Sequence, residues 1–372
     1  MNSDREQLTK KTSLIVVKIG SGVLTGVEGL NRPALRRIGS QLVAIRESGR
    51  QVVVVSSGAI ASGLKPLGLA RMPKTIVDKQ AAAAVGQQVL MNAWADVFRK
   101  SKISVGQVLL TSDDLDNRSR YLNARHTLVS LLHRGVIPII NENDSVSFEE
   151  IKMGDNDHLS ALVTTLISAN LLVMLTNVDG LRRGGANGDL IEMVRADDDV
   201  DQHVSQTKSA TGVGGMFTKL HAARLVGRSG IPAVIANGSQ ANVLQRILEG
   251  ERVGTYFEPQ ASRLDVRRRW IATATRPRGK ILVDDGARAA IVSRNASLLP
   301  SGITEIDGHF SAGAVVRICD GKGVPFARGL VSYTSEEARR VMGHNSKDIP
   351  DILGYRYLDE IIHRNDLVLD ED

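Results

Sequence analysis

The sequence predicts an α/β protein of two domains. The first is a three-layer α/β/α sandwich with a mainly parallel central sheet, and the second is small and mostly β. Three observations carry this. Residues 12–237 alternate short apolar runs with longer amphipathic stretches. The runs are β-branched or continuously apolar, as expected of strands covered on both faces. After about residue 262 the runs shorten and Gly-rich turns separate them, the spacing of a small β domain.

In chain order, strands are expected at Leu14–Ile19, Val52–Ser56, Val105–Leu110, Val136–Ile140, Leu171–Leu175 and Ala233–Ile235. Helical periodicity falls between them at Arg32–Ser48, Ile76–Arg99, Arg120–Arg134, Asp157–Ser168 and Met216–Arg228. Arg182–Asp201 is acidic, aperiodic and Gly-containing, and reads as an excursion from the sheet, a hairpin or a mobile loop. Further strands are expected at Lys280–Val283, Ile303–Ile306, Ala314–Cys319 and Phe326–Val331, with turns at Asp285-Gly286 and Asp320-Gly321-Lys322-Gly323. The boundaries drawn from this are residues 1–262, a linker at 263–278, and 279–372.

Composition supports an ordinary globular chain, with 42% hydrophobic and 24% charged residues. Aromatics are only 3%, so Val, Ile, Leu and Ala must fill the core. The single cysteine, Cys319, excludes an intrachain disulfide framework and a Cys-cluster metal site, and points to the cytoplasm. Met1–Lys11 is polar, without the apolar stretch of a signal peptide. No apolar run approaches the roughly 18 residues of a membrane span. The net charge of +6 is thinly spread, since residues 267–372 hold 16 Lys+Arg against 15 Asp+Glu. The densest basic stretch, Arg267–Arg269 with Arg276, Arg278 and Lys280, reads as a solvated linker.

Candidate chemistry gathers where strands end, the edge at which open α/β sheets hold their ligands. Lys18-Ile19-Gly20-Ser21-Gly22 closes the first strand. Its glycines admit an anion close to the backbone and Lys18 adds a charge; as a bland alternative it is a turn with a surface lysine. Ser56-Ser57-Gly58-Ala59 ends the next strand and reads as an anion nest opening a helix, or as simple capping. No Gly-x-Ser-x-Gly elbow surrounds Ser57, which argues against a hydrolase. Asn141–Ser145 follows a buried strand and offers either turn chemistry or a pocket for an amino group. In Gly154-Asp155-Asn156-Asp157, Asn156 or Asp157 suits a helix cap, while a carboxylate there could orient lysines around a phosphoryl group. Gly214–Lys219 is a second Gly/Lys loop entering a helix. Two such loops in one α/β domain supply cations from two sides of a transferring phosphoryl group. Thr176-Asn177-Val178-Asp179-Gly180 follows a strand and suits a nucleotide pocket or a turn.

Taken in order, these motifs resemble the amino acid kinase family, from about Ser13 to Val368. The C-terminal segments Ser297–Pro300, Ala327–Leu330 and Ile352–Tyr355 resemble an appended PUA domain. The resemblance implies ATP-dependent phosphorylation of the side-chain carboxylate of L-glutamate, the first step of proline synthesis. It implies catalytic roles for Lys18 and Lys219 beside the phosphoryl group, with Asp155 holding them in register. Ser57, Gly58, Ala59, Asp144 and Asn156 are expected to bind glutamate, with Asp144 on the α-ammonium. Lys18, Gly20, Thr176, Asn177, Val213, Gly214, Gly215, Met216, Phe217, Thr218 and Lys219 are expected to bind ATP, the Gly20 and Gly58 amides through anionic oxygens. Mg²⁺ is expected to bridge the phosphates largely without protein side chains. Asn177 departs from the family's usual Asp, Gly22 from a second Ser, and Val213 from Thr.

Further expectations are inhibition by L-proline in a shared pocket walled by the loop Ser112–Asn123, a dimer or tetramer, and transient association with glutamyl phosphate reductase. Rival readings are an RNA-binding protein, disfavoured by the near-neutral C-terminal segment and few aromatics, and a kinase acting on acetylglutamate, carbamate or UMP.

Overall fold

The computed structural model describes Arg5 and residues 12–26, 29–145, 155–185, 188–203, 215–260, 277–356 and 358–370. The chain divides into two compact units, residues 1–261 and 262–372.

The first unit runs β1 (Leu14–Ile19), α1 (Ser21–Leu24), the small hairpin β2 (Thr25–Gly26) and β3 (Gly29–Leu30), and α2 (Arg32–Glu47). Then come β4 (Gln51–Ser56), α3 (Ala59–Leu64), α4 (Ile76–Arg99), β5 (Val105–Leu110), α5 (Ser112–Asp116) and α6 (Arg118–His133). It continues with β6 (Ile137–Glu142), α7 (Asp155–Leu166), β7 (Leu171–Thr176), β8 (Met193–Val194), α8 (Met216–Arg228), β9 (Ala233–Asn237), α9 (Val243–Leu248) and β10 (Thr255–Phe257).

One eight-stranded sheet has the order β5-β6-β4-β1-β7-β9-β10-β8. Every pairing from β5 to β9 is parallel, and β10 runs antiparallel to β9. The parallel strands therefore all end at one edge. Alternate residues of β1 serve opposite layers. Ile15, Val17 and Ile19 pack with Leu35, Ile38 and Leu42 of α2 and with Leu90 and Trp94 of α4. Val16 packs with Leu128 of α6, Leu159 and Val163 of α7, and Val226 of α8. Lys18 shares the parity of Val16 and so faces α7 and α8.

The Arg182–Asp201 segment is not wholly an excursion, because Met193–Val194 adds the edge strand β8 beside β10. The expected loop Ser112–Asn123 is mostly helical. Thr111 caps α5 in a reciprocal capping box with Asp114.

Helix α4 starts on Thr75, whose side chain accepts from the Asp78 amide. It presents Ala82, Ala83, Gly86, Gln87, Leu90, Ala93, Trp94 and Phe98 inward at helical spacing. Trp94 Nε1 donates to Ser56 Oγ at 3.0 Å and pins the helix to the end of β4. Gly86 lets α3 lie directly on α4, since a Cβ there would stand 1.9 Å from the Ala59 carbonyl oxygen and 2.4 Å from the Gly63 nitrogen. Alanine in a helix ordinarily gains about 1 kcal/mol over glycine, but overpacking against backbone costs about 1–3 kcal/mol. Gly86→Ala is therefore expected to lower the thermal midpoint and, by displacing Ala59, to raise the KM for the substrate. An unchanged midpoint would count against this packing.

In the second unit a five-stranded sheet has the order β12-β11-β13-β14-β15, formed by β11 (Gly279–Val283), β12 (Ile303–Gly308), β13 (Val315–Cys319), β14 (Pro325–Leu330) and β15 (Leu367–Leu369). Its core includes Ile281, Val283, Val316, Ile318, Ala327 and Tyr333. The expected turn at Asp285-Gly286 is instead the start of α10 (Asp285–Arg294), because Asp284 accepts from the Ala287 amide at 2.6 Å and caps it.

Candidate active site

Two clusters of polar side chains stand over the C-terminal edge of the large sheet. The first centres on Asp157 in the first turn of α7. Lys18 Nζ lies 2.7 Å from its Oδ1, and Lys219 Nζ lies 3.0 Å from its Oδ2. Thr218 Oγ1 also donates to Oδ2, at 2.7 Å. All three charged residues are buried, Asp157 completely. Burial alone would push the Asp157 carboxyl up, but the two ammonium groups outweigh it and hold it below its ordinary value. Burial lowers the Lys219 ammonium below the usual lysine value; Lys18 adds to that, and Asp157 opposes it. Two cations thus share one anion.

Among the described side chains the carboxylate that clamps both lysines is Asp157; Asp155, for which that role was expected, falls outside them. Helix α7 begins at Asp155, so the residue read as a cap lies inside the first turn, against β1 and α8. Nothing is described of the Asp155 side chain.

The second cluster is a chain of amides crossing all three layers. Asn156 Nδ2 donates to Ser57 Oγ at 3.0 Å and to Asn141 Oδ1 at 2.9 Å. Asn141 Nδ2 donates to Gln87 Oε1 at 3.0 Å. Gln87 Nε2 and Asn156 Oδ1 are buried and have no hydrogen-bond partner among the described residues. Beside this chain a cavity of about 500 Å³ is lined by Ala59, Gln87, Gln107, Asn141, Asn143 and Asp144, among others. Asn141 opens the Asn141–Ser145 motif read from the sequence, whereas Gln87 belongs to no such motif.

The glycine loops play different parts. Gly58, at a φ of 111°, precedes α3 with no side-chain cap. The Gly20 amide is not available to a phosphate, contrary to expectation, because it donates to the Leu175 carbonyl at 2.9 Å. What Gly20 supplies is room, since a Cβ would meet that oxygen at 3.2 Å and Lys18 Nζ at 3.6 Å. Gly215 precedes the 13-residue helix α8, again with no side-chain cap, and Lys219 lies in the first turns of that helix. Phe217 is exposed there and Met216 is half-buried. Val213 and Gly214 lie outside the described residues. Thr176 and Asn177 stand together at the end of β7, Thr176 Oγ1 donating to Asn177 Oδ1 at 3.3 Å. Asp179, just beyond, accepts from Asn237 of β9 and from Arg182, which hold its carboxyl below the usual value. No described contact joins Thr176 or Asn177 to the lysines.

A parallel three-layer sheet with a paired-lysine clamp at its C-terminal edge is the arrangement of a phosphotransferase, and comparison with known proteins agrees. The amino acid kinase family matches residues 13–237 and the PUA domain matches residues 279–353. The chain is 50% identical to the glutamate 5-kinase of Geobacter sulfurreducens, covering 98% of this chain and 100% of that one. It is 46% identical to that of Syntrophotalea carbinolica over 98% and 99%, and 48% identical to that of Geobacter metallireducens over 98% and 100%. The chain belongs to the amino acid kinase family and, within it, to the glutamate 5-kinases.

Proposed function

We propose that this chain transfers the γ-phosphoryl group of ATP to the side-chain carboxylate of L-glutamate, with the clamp and the amide-lined cavity as the two halves of its site. The observation that carries the reading is the buried Lys18–Asp157–Lys219 trio beside a polar cavity on one sheet edge. A carboxylate oxygen of glutamate attacks the γ-phosphorus. The bond to the bridging oxygen breaks, ADP leaves with that electron pair, and an acyl phosphate remains. No general base is needed, because the nucleophile is already an anion at neutral pH. Lys18 and Lys219 stabilise charge on the equatorial oxygens in flight. Asp157 fixes both ammonium groups beforehand, so no reorganisation is required at the moment of transfer. The α8 amides, with Thr176 and Asn177, hold the nucleotide.

Mg²⁺ would enter with ATP and would supply charge neutralisation for the phosphates. Among the described residues no group of three or more His, Cys, Asp or Glu side chains could hold a metal ion, and Asp157 is committed to its lysines.

Asp144, which lines the cavity, takes the α-ammonium, and Ser57 and Asn156, joined to the cavity through Asn141, contact glutamate from beside it. L-Proline carries the same α-carboxylate and a cationic nitrogen, so it competes at this cavity. The segment Ser112–Asn123 supplies no wall among the cavity's lining residues. Asp144→Ala is expected to raise the KM for glutamate about 10- to 100-fold, the worth of a charge-assisted contact. The KM for ATP should hardly change, and proline inhibition should weaken in parallel. A collapse in ATP affinity with glutamate unaffected would mean that the pocket is misassigned.

The acyl phosphate is prone to hydrolysis and cyclisation, which favours transient hand-over to glutamyl phosphate reductase. Assembly as a dimer or tetramer and a cytoplasmic location fit the same reading. No helix among the described residues is long and apolar enough to cross a membrane. The deciding experiment is ADP release with L-glutamate, acetylglutamate, carbamate and UMP in turn. Stimulation by glutamate alone is expected, and none by glutamate would overturn the reading.

A further inference from the structure

We infer that Gln87 recognises the α-carboxylate of the amino-acid substrate and sets specificity at that end; this rests on the glutamate reading above. The direction of the amide chain is the starting point. Asn156 spends its Nδ2 on Ser57 Oγ and Asn141 Oδ1, which leaves Asn141 only its own Nδ2 to offer Gln87. Gln87 must therefore turn Oε1 toward Asn141, and its Nε2 is left over.

That Nε2 is a buried donor without a partner among the described residues, on a side chain only 7% exposed. Leaving such a group unpaired costs about 1–3 kcal/mol, so a ligand that accepts from it recovers that loss on binding. The donor belongs to a residue lining the 500 Å³ cavity. Asp144 lines the same cavity. An amide donor and a carboxylate in one cavity match the two ends of a zwitterion, carboxylate to Gln87 and ammonium to Asp144.

Position along the chain of contacts separates the two carboxylates of the substrate. Asn156 neighbours Asp157, and through it the lysines. Gln87 stands two hydrogen bonds further away, in the opposite helical layer. The reacting side-chain carboxylate must face the lysines, so the group left for Gln87 is the α-carboxylate. A neutral amide suits this task. It donates without adding charge, and its other end is locked by Asn141, so it cannot rotate to present an acceptor.

The test compares kcat/KM for L-glutamate with that for its α-carboxamide, whose side-chain carboxylate is intact, in the unaltered protein, Gln87→Leu and Gln87→Glu. Gln87→Glu keeps an oxygen to accept from Asn141, so the amide chain and the fold are retained. It replaces the donor with an anion that repels an α-carboxylate and accepts from a carboxamide. The expected result is a shift of the preference ratio toward the carboxamide of at least about 10-fold in Gln87→Glu. Gln87→Leu should shrink the ratio, with the change in the KM for glutamate and with kcat and the KM for ATP near their original values. A residue with a merely structural role would lower both substrates alike. An unchanged ratio in Gln87→Glu, with glutamate still turned over, would overturn the role of Gln87 alone. Absence of glutamate turnover in the unaltered protein would overturn the functional reading together with this one.

Discussion

Lys18→Ala and Lys219→Ala are each expected to reduce turnover about 10²- to 10³-fold or more while the protein stays folded. Removing one preorganised donor from a developing oxyanion costs about this much in other enzymes, and here the donor is a full positive charge in a buried site. Folding survives because Asp157 keeps the other lysine as a partner in either variant. The loss should fall on kcat more than on the KM for glutamate, since the lysines act on the group in transfer. Steady-state kinetics with a thermal melt decides the matter, and near-original turnover in either variant would sink the assignment.

Asp157→Ala is expected to be the more damaging substitution, because it strikes stability and activity together. It removes from two buried ammonium groups the carboxylate that both contact. Breaking a buried ion pair by removing one partner costs about 3–5 kcal/mol, and here two pairs lose the same partner. Asp157→Asn keeps the shape and can still accept from Thr218, so its melting temperature should lie between Asp157→Ala and the original. Turnover should be severely reduced in both. A melting temperature for Asp157→Ala equal to that of Lys18→Ala would show that Asp157 does not hold the cations.

The central strands were legible because burial on both faces leaves a run such as Leu171–Leu175 no polar position. Their register, and hence the layer that each side chain joins, was not. The place of Asp157 turned on this, since the course of α7 past β1 is what brings its carboxylate to Lys18 and Lys219. Gln87 was invisible for a related reason. A glutamine within a long helix has no signature until β6 places Asn141 against it. The short strand β10, with only three residues, gives too little periodicity to be read. Asp285-Gly286 carries turn chemistry, yet the residue before it supplies a cap, and the cap prevails. The loop Lys18–Gly22 was correctly placed beside Lys18, but the Gly20 amide turned out to be occupied by β7. Sequence shows that a glycine is present and does not show whether its N–H is free.

The shared carboxylate has a consequence for how the protein responds to its nucleotide. Lys18 and Lys219 share the Asp157 carboxylate, and burial weakens the hold of Lys219 on its proton. An arriving phosphate adds negative charge beside Lys219 and so tightens that hold. Nucleotide binding and proton uptake at Lys219 are therefore thermodynamically linked, each strengthening the other. ATP binding is expected to be accompanied by proton uptake as the pH rises, and unchanged proton stoichiometry across the alkaline range would count against the link.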